Sequence, residues 1–170
     1  MGERRLIQVP IAGIGVVRRP GVLTTLLGSC VGMVVQDLRN GVAVLAHIVR
    51  PKGTGAGMGP GYFADVAAPR ARDLAIQNGA DPRELMVRIA GGGRMVENGV
   101  DIGAQNCEAV KEATYALGMV FGGRIKGPSD GGCYVAVDSA TGKVALHKLQ
   151  GRSLDDDAWS KLQKELGVLL

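Results

Sequence analysis

Apolar residues occur in short runs separated by glycine, proline and polar clusters, the pattern of a chain built mostly from strands. Leu6 to Val17 reads as a strand interrupted at Pro10, Gly13 and Gly15, followed by the turn Arg18-Arg19-Pro20-Gly21. Val22 to Leu27 is the next strand, closed by Gly28-Ser29. Val31 to Gln36 and Val42 to Val49 are strands joined by the polar turn Asp37-Leu38-Arg39-Asn40-Gly41, and the unbroken apolar run of the second predicts burial. After a glycine-rich loop over 50–60, Tyr62 to Gln77 has helical spacing and ends in the C-cap pair Asn78-Gly79. Pro69 inside it marks either a kink or the first turn.

Leu85 to Ala90 is a strand running into Gly91-Gly92-Gly93. Ala104 to Leu117 is an amphipathic helix stopped by Gly118, and Met119 to Ile125, Tyr134 to Val137 and Val144 to Leu149 are strands. Ser153-Leu154-Asp155-Asp156 opens a last helix in which Leu154, Ala158, Leu162 and Leu166 recur every four residues. Strands adjoin one another instead of alternating strictly with helices. An α+β fold is therefore expected, a single domain over residues 1–170 with packed, mainly antiparallel sheet and flanking helices.

Composition narrows the function classes. Aromatics are only 4% of the chain, so the core must be aliphatic. The net charge of +4 is spread out, without a Lys/Arg run or interleaved aromatics, which argues against nucleic-acid binding. No run reaches the ~18 apolar residues of a membrane helix, and MGERRLIQVP does not read as a signal peptide. Cys30, Cys107 and Cys133 are odd in number and form no CxxC, against a disulfide framework. A reducing, cytoplasmic setting is the expectation, with no membrane insertion.

Cys30 and His47 flank the polar turn. A five-residue turn would pair Cys30 with Ile48 and Val31 with His47, so Cys30 and His47 are roughly opposite to within one register step. Directly opposed side chains lie about 5 Å apart at Cβ, and a slip of one settles whether these two face the same side. A thiol needs such a base, because little thiolate exists at pH 7. Gly28 would let the backbone turn sharply, freeing N–H groups for an oxyanion. The same arithmetic pairs Cys133 with His147 across 138–142, so spacing alone selects two pairs. Were both hairpins to converge, two Cys and two His could make a zinc site, although the tight spacings of one are absent. Gly91-Gly92-Gly93 reads as a tight turn in preference to a phosphate cradle.

The segment Thr24-Thr25-Leu26-Leu27-Gly28-Ser29-Cys30, with Ala46-His47 and Arg50-Pro51, resembles the signature of the CheD family of chemoreceptor glutamine deamidases. Similar likeness runs through Gly61-Tyr62-Phe63-Ala64-Asp65, Arg88-Ile89-Ala90-Gly91-Gly92-Gly93-Arg94-Met95, Asp101-Ile102-Gly103-Ala104-Gln105-Asn106 and Thr141-Gly142-Lys143, covering about residues 8 to 150. The resemblance implies the fold of the cytotoxic necrotizing factor-type cysteine hydrolases. It implies Cys30 as nucleophile, His47 as base and Thr24 as the residue orienting the histidine, with Thr25 the alternative if the register slips. Gly28 and Ser29 would support the oxyanion, and neither metal nor cofactor is needed. Methyl-accepting chemotaxis receptors are the implied substrates, deamidated and also demethylated at glutamyl esters, and the CheC phosphatase an implied regulator. One stretch departs: the family's Gly-Gly segment leading to an arginine is replaced by residues 122–134, where Arg124 or Lys126 stands in. The competing interpretations are a non-catalytic receptor- or CheC-binding adapter, a metal-binding domain and a general cysteine protease.

Overall fold

The computed structural model describes residues 5–54, 58–94, 96–125 and 132–148. Its elements are β1 (Arg5–Gln8), β2 (Ile14–Arg18), β3 (Gly21–Leu27), β4 (Val31–Asp37), β5 (Val42–Ile48), α1 (Ala64–Gln77), β6 (Met86–Gly91), β7 (Val96–Glu97), β8 (Val100–Asp101), α2 (Ile102–Ala116), β9 (Val120–Arg124), β10 (Cys133–Asp138) and β11 (Val144–Lys148). The last helix expected from sequence, beyond residue 148, lies outside the described residues.

Two mixed sheets carry the fold. One has the order β1-β3-β10-β11, the other β2-β5-β4-β6-β9, and β7 and β8 form a small hairpin. Pairing is antiparallel except for β1 with β3 and β6 with β9. The stretch Leu6 to Val17 is two strands in different sheets. Gly13 N–H bonds to Pro10 C=O at 2.9 Å and Ala12 takes a φ of 62°, so the chain turns at Pro10 and leaves one sheet for the other.

Alternation along the five-stranded sheet explains its unbroken apolar runs. Val31, Met33 and Val35 of β4, with Val42, Val44, Ala46 and Ile48 of β5, pack against the helices. Val34 of β4, with Ala43 and Leu45 of β5, faces the other sheet, where it meets Leu23, Leu27, Val135 and Val137. The order of layers is thus helices, five-stranded sheet, four-stranded sheet. Leu23, Leu27 and Leu45 are fully buried in the seam between sheets and contribute about 5 to 9 kcal/mol of transfer free energy.

Helix α1 buries Ala64, Ala67, Ala68, Ala71 and Ala75, a small-residue stripe at helical spacing that brings its backbone close to the sheet. Pro69 sits in the second turn, not the first. It withholds the N–H that Asp65 C=O would accept, at a position where Asp65 is exposed to water. Helix α2 starts at Asp101, whose carboxylate accepts from Ala104 N–H at 3.1 Å. The β7–β8 hairpin was not expected from the pattern. Asn98 and Gly99 at its tip both have positive φ, 51° and 80°, as a two-residue Asn-Gly turn requires.

Both long hairpins differ from the expected register by one residue. β4 and β5 pair Val31 with Ile48 and Gly32 with His47, and β10 and β11 pair Cys133 with Lys148 and Tyr134 with His147. Each turn closes with four residues, ending at Gly41 or Gly142 with φ of 65° and 75°. An even-length loop ending in a left-handed glycine replaces the symmetric five-residue turn.

Candidate active site

Residues 28–30 form the strap by which the chain leaves β3 in one sheet and enters β4 in the other. The glycine-rich segment after β6 holds this strap. Gly93 N–H donates to Gly28 C=O at 3.2 Å and Gly92 N–H to Cys30 C=O at 3.0 Å. Gly91 and Gly92 adopt φ of 77° and 70°, and a Cβ on Gly92 would lie 2.6 Å from the Cys107 sulfur. The N–H groups of Gly92 and Gly93 are therefore engaged by the strap, which excludes a phosphate cradle there. Arg124 fastens the segment from behind, donating from Nη2 to Gly91 C=O at 2.7 Å and Gly92 C=O at 2.8 Å. Within the divergent stretch 122–134, Arg124 thus has a definite place; residues 126–131, Lys126 among them, lie outside the described residues.

His47 comes from β5 and shares its face with Leu45 and Ala43, so the ring enters the seam between the sheets. It is 2% exposed. The hydroxyl that meets it belongs to Thr25, whose Oγ1 lies 2.8 Å from His47 Nδ1. This corrects the expectation of Thr24. Leu23 and Leu27 of β3 point into the seam, so Thr25 between them does too, and Thr24 points to the opposite face. Thr25 Oγ1 also donates to Val9 C=O at 2.9 Å. A hydroxyl has one proton. With that proton on Val9, Oγ1 must accept from Nδ1–H, so the imidazole holds its proton on Nδ1 and Nε2 is the free base. Burial pulls the imidazole pKa from 6.5 down to about 4, and the ring is neutral at physiological pH.

Cys30 is half-buried and packs against the inter-sheet core, on the side His47 enters. Burial pushes its thiol above the ordinary value, opposed by the nearby Arg50 charge. No hydrogen bond joins the Cys30 thiol to the His47 ring, whose side-chain partner is Thr25. Thiol and imidazole are both neutral at physiological pH. Gly28 plays a part different from the expected sharp turn. Its φ is not in the left-handed region, and a Cβ there would have nothing within 4 Å. It borders open space.

The one-residue slip in register separates the two hairpin candidates. Cys30 is two positions before Gly32, the partner of His47, and so falls on the same side of the sheet. Cys133 is one position before Tyr134, the partner of His147, and falls on the opposite side. Cys133 faces the seam with Val135 and Val137, and burial raises its thiol to about 11. Cys133 and His147 therefore cannot share a metal with Cys30 and His47, and no cluster of three His, Cys, Asp or Glu exists among the described residues. Cys107 is half-buried against Gly92.

A depression of about 380 Å³ opens onto Thr25 and His47, rimmed by Gln8, Val9, Pro10, Ile11 and Leu26; Cys30 does not line it. Ile11 and Leu26, 74% and 43% exposed, make part of this rim apolar. Two residues missed in the sequence also belong here. Val9 supplies the carbonyl that fixes the Thr25 hydroxyl. Asn106 of α2 is fully buried and donates from Nδ2 to Val49 C=O at 3.0 Å and to Ser29 C=O at 3.5 Å. Its signal was a polar residue inside the apolar stripe that runs on to Ala109 and Val110. No helix among the described residues is long and apolar enough to cross a membrane.

Comparison with known proteins adds an independent line. A family model described as CheD chemotactic sensory transduction matches residues 50–148, a stretch that begins after both Cys30 and His47. The Thermotoga maritima protein named "Chemoreceptor glutamine deamidase CheD" is 36% identical over 149 residues, covering 83% of this chain and 92% of the relative. A Methanococcus maripaludis protein named "Probable chemoreceptor glutamine deamidase CheD" is 33% identical over 147 residues, 84% of this chain and 95% of the relative. A Natronomonas pharaonis protein of the same name is 33% identical over 150 residues, with shares of 85% and 89%.

Proposed function

Because this chain belongs to the CheD family, we propose that it is a chemoreceptor glutamine deamidase, a protein-glutamine glutaminase in which Cys30 is the nucleophile and His47 the base. The observation that carries the residue assignment is the bond from His47 Nδ1 to Thr25, because it leaves Nε2 free at the seam that Cys30 also faces.

The Cys30 thiol gives its proton to His47 Nε2 as sulfur attacks the carboxamide carbon of a receptor glutamine. The carbonyl oxygen takes the negative charge, held by backbone N–H groups of the strap. The tetrahedral intermediate collapses, the C–N bond breaks, and His47 returns the proton to departing ammonia. A γ-glutamyl thioester remains. His47 next takes a proton from water as its oxygen attacks the thioester, and returns it to the leaving thiolate. Glutamate and free Cys30 result. A glutamyl methyl ester would follow the same course with methanol leaving.

Methyl-accepting chemotaxis receptors are the substrates under this assignment. A CheC phosphatase is the regulator, the setting is cytoplasmic, and residues 1–170 form one domain of the cytotoxic necrotizing factor-type hydrolase fold. The apolar rim at Ile11 and Leu26 suits the packed side chains that surround a glutamine on a receptor helix.

The test is incubation with a receptor cytoplasmic domain, following intact mass and ammonia beside Cys30→Ala. Deamidation adds about one dalton per site, the change from amide to acid, with one ammonia released, and Cys30→Ala abolishes both. Receptor binding without either change would leave an adapter in place of an enzyme, and receptor fragmentation would indicate a protease.

A further inference from the structure

The strap that carries the nucleophile offers all three of its carbonyls to the same side. Gly28 C=O accepts from Gly93 N–H, Cys30 C=O from Gly92 N–H, and Ser29 C=O from the Asn106 side chain. A trans peptide is planar, and its C=O and N–H point in opposite directions. Fixing the carbonyls of Gly28 and Ser29 against the glycine segment and α2 therefore turns the N–H groups of Ser29 and Cys30 the other way. Neither N–H has an acceptor among the described residues. Two adjacent, unengaged N–H groups at the nucleophile are the donor pair an oxyanion requires.

We infer that Asn106 is a positioning residue of this site: it sets the Ser29–Cys30 peptide so that the Cys30 N–H faces the developing oxyanion, and ties that peptide to the end of the histidine strand through Val49. Its role rests on the hydrolase assignment above. Two of the three carbonyls are held by backbone N–H groups of the glycine segment. Only the middle one, whose peptide bears the Cys30 N–H, depends on a side chain. The same Nδ2 bonds to Val49, two residues after His47, so one amide gauges the strap against β5. The orientation of the amide is dictated, since Oδ1 facing two carbonyl oxygens would be repelled. Oδ1 is buried and has no donor among the described residues. A polar group with an unsatisfied oxygen is a poor choice for packing alone.

The test compares wild type, Asn106→Ala and Asn106→Ser as full chains on a receptor cytoplasmic domain. Rates are expressed per folded enzyme, with the folded fraction taken from a urea melt at the assay temperature, so that any unfolded fraction drops out. A parallel series follows alkylation of Cys30 by iodoacetamide against pH, a reaction that needs the thiolate and no oxyanion donors. Removing one oxyanion donor costs about 10²–10³ in kcat, and loosening one through its tether should cost Asn106→Ala at least about tenfold. KM and the alkylation profile should stay within about twofold. Asn106→Ser retains one donor and should fall between, and it carries the comparison if the alanine protein does not fold. An unchanged kcat per folded enzyme overturns the inference. So does a kcat that falls in step with alkylation, because Asn106 would then shape the thiol or the fold. If wild type itself releases no ammonia, the deamidase assignment fails instead.

Discussion

The choice between two adjacent threonines makes a quantitative prediction. Thr25→Val replaces the hydroxyl by a methyl group of nearly the same volume. It strands two buried groups, the Val9 carbonyl and the His47 Nδ1–H, which that oxygen now joins at 2.9 and 2.8 Å. Each such loss costs about 1–3 kcal/mol, and the depression that touches both groups admits water to relieve part of it. A net loss of roughly 3 kcal/mol lowers Tm by about 10 °C in a chain of this length. Catalysis should suffer more than stability. General-base assistance is worth about 10²–10⁴-fold. Freed from Thr25, the imidazole can hold its proton on Nε2, where it is no base, so kcat should fall about 10²-fold. Thr25→Ser should retain most activity. Thr24→Val, on the other face of β3, should stay within about twofold of wild type. Ammonia release from a receptor fragment reads all three, with thermal melts beside it. A larger loss from Thr24→Val, or an unimpaired Thr25→Val, would refute the tautomer argument.

Other expectations follow from the same geometry. The His47 pKa of about 4 in the fold lies below its unfolded value of 6.5, so the unfolded chain takes up the proton first. Stability is full above pH 6.5 and falls by about 3 kcal/mol as pH drops to 4; urea melts across that range should show the slope, and His47→Gln should flatten it. The acid limb of kcat should likewise sit near 4. Arg50 lowers the Cys30 thiol, so Arg50→Gln should raise it further and slow iodoacetamide alkylation at pH 7–8 by about threefold, a modest screened effect. Gly28→Ala meets open space and Gly92→Ala meets Cys107 at positive φ. The first should melt like wild type and leave KM within about twofold, while the second should lower Tm by several degrees.

Element type was legible wherever period and punctuation agreed. The apolar runs of β4 and β5 and the Asn78-Gly79 stop of α1 needed no tertiary knowledge. Register was not legible to the last residue, because a turn of four or five residues looks alike until Gly41 and Gly142 are known to take left-handed φ. That single step decides which Cys–His pair shares a face. It also hides which threonine of a Thr-Thr pair looks inward, a question settled by Leu23 and Leu27 packing across the seam. The Asn98-Gly99 hairpin did carry a local signal, a dipeptide suited to two left-handed residues. Asn106 could not be given its role from sequence, since its partners are carbonyls 57 and 77 residues away.

The strap of residues 28–30 has a bearing on when this chain becomes dangerous to other proteins. Thiol and imidazole are only seventeen residues apart. Their alignment nevertheless depends on Thr25 from the opposite sheet, on the glycine segment after β6, on Arg124 and on α2. A nascent chain, or one whose sheets have come apart, keeps every reactive atom and loses the arrangement. For a hydrolase whose bond is as common as a glutamine side chain, that is a safeguard against indiscriminate damage: reactivity is a late product of folding, and disappears when folding fails.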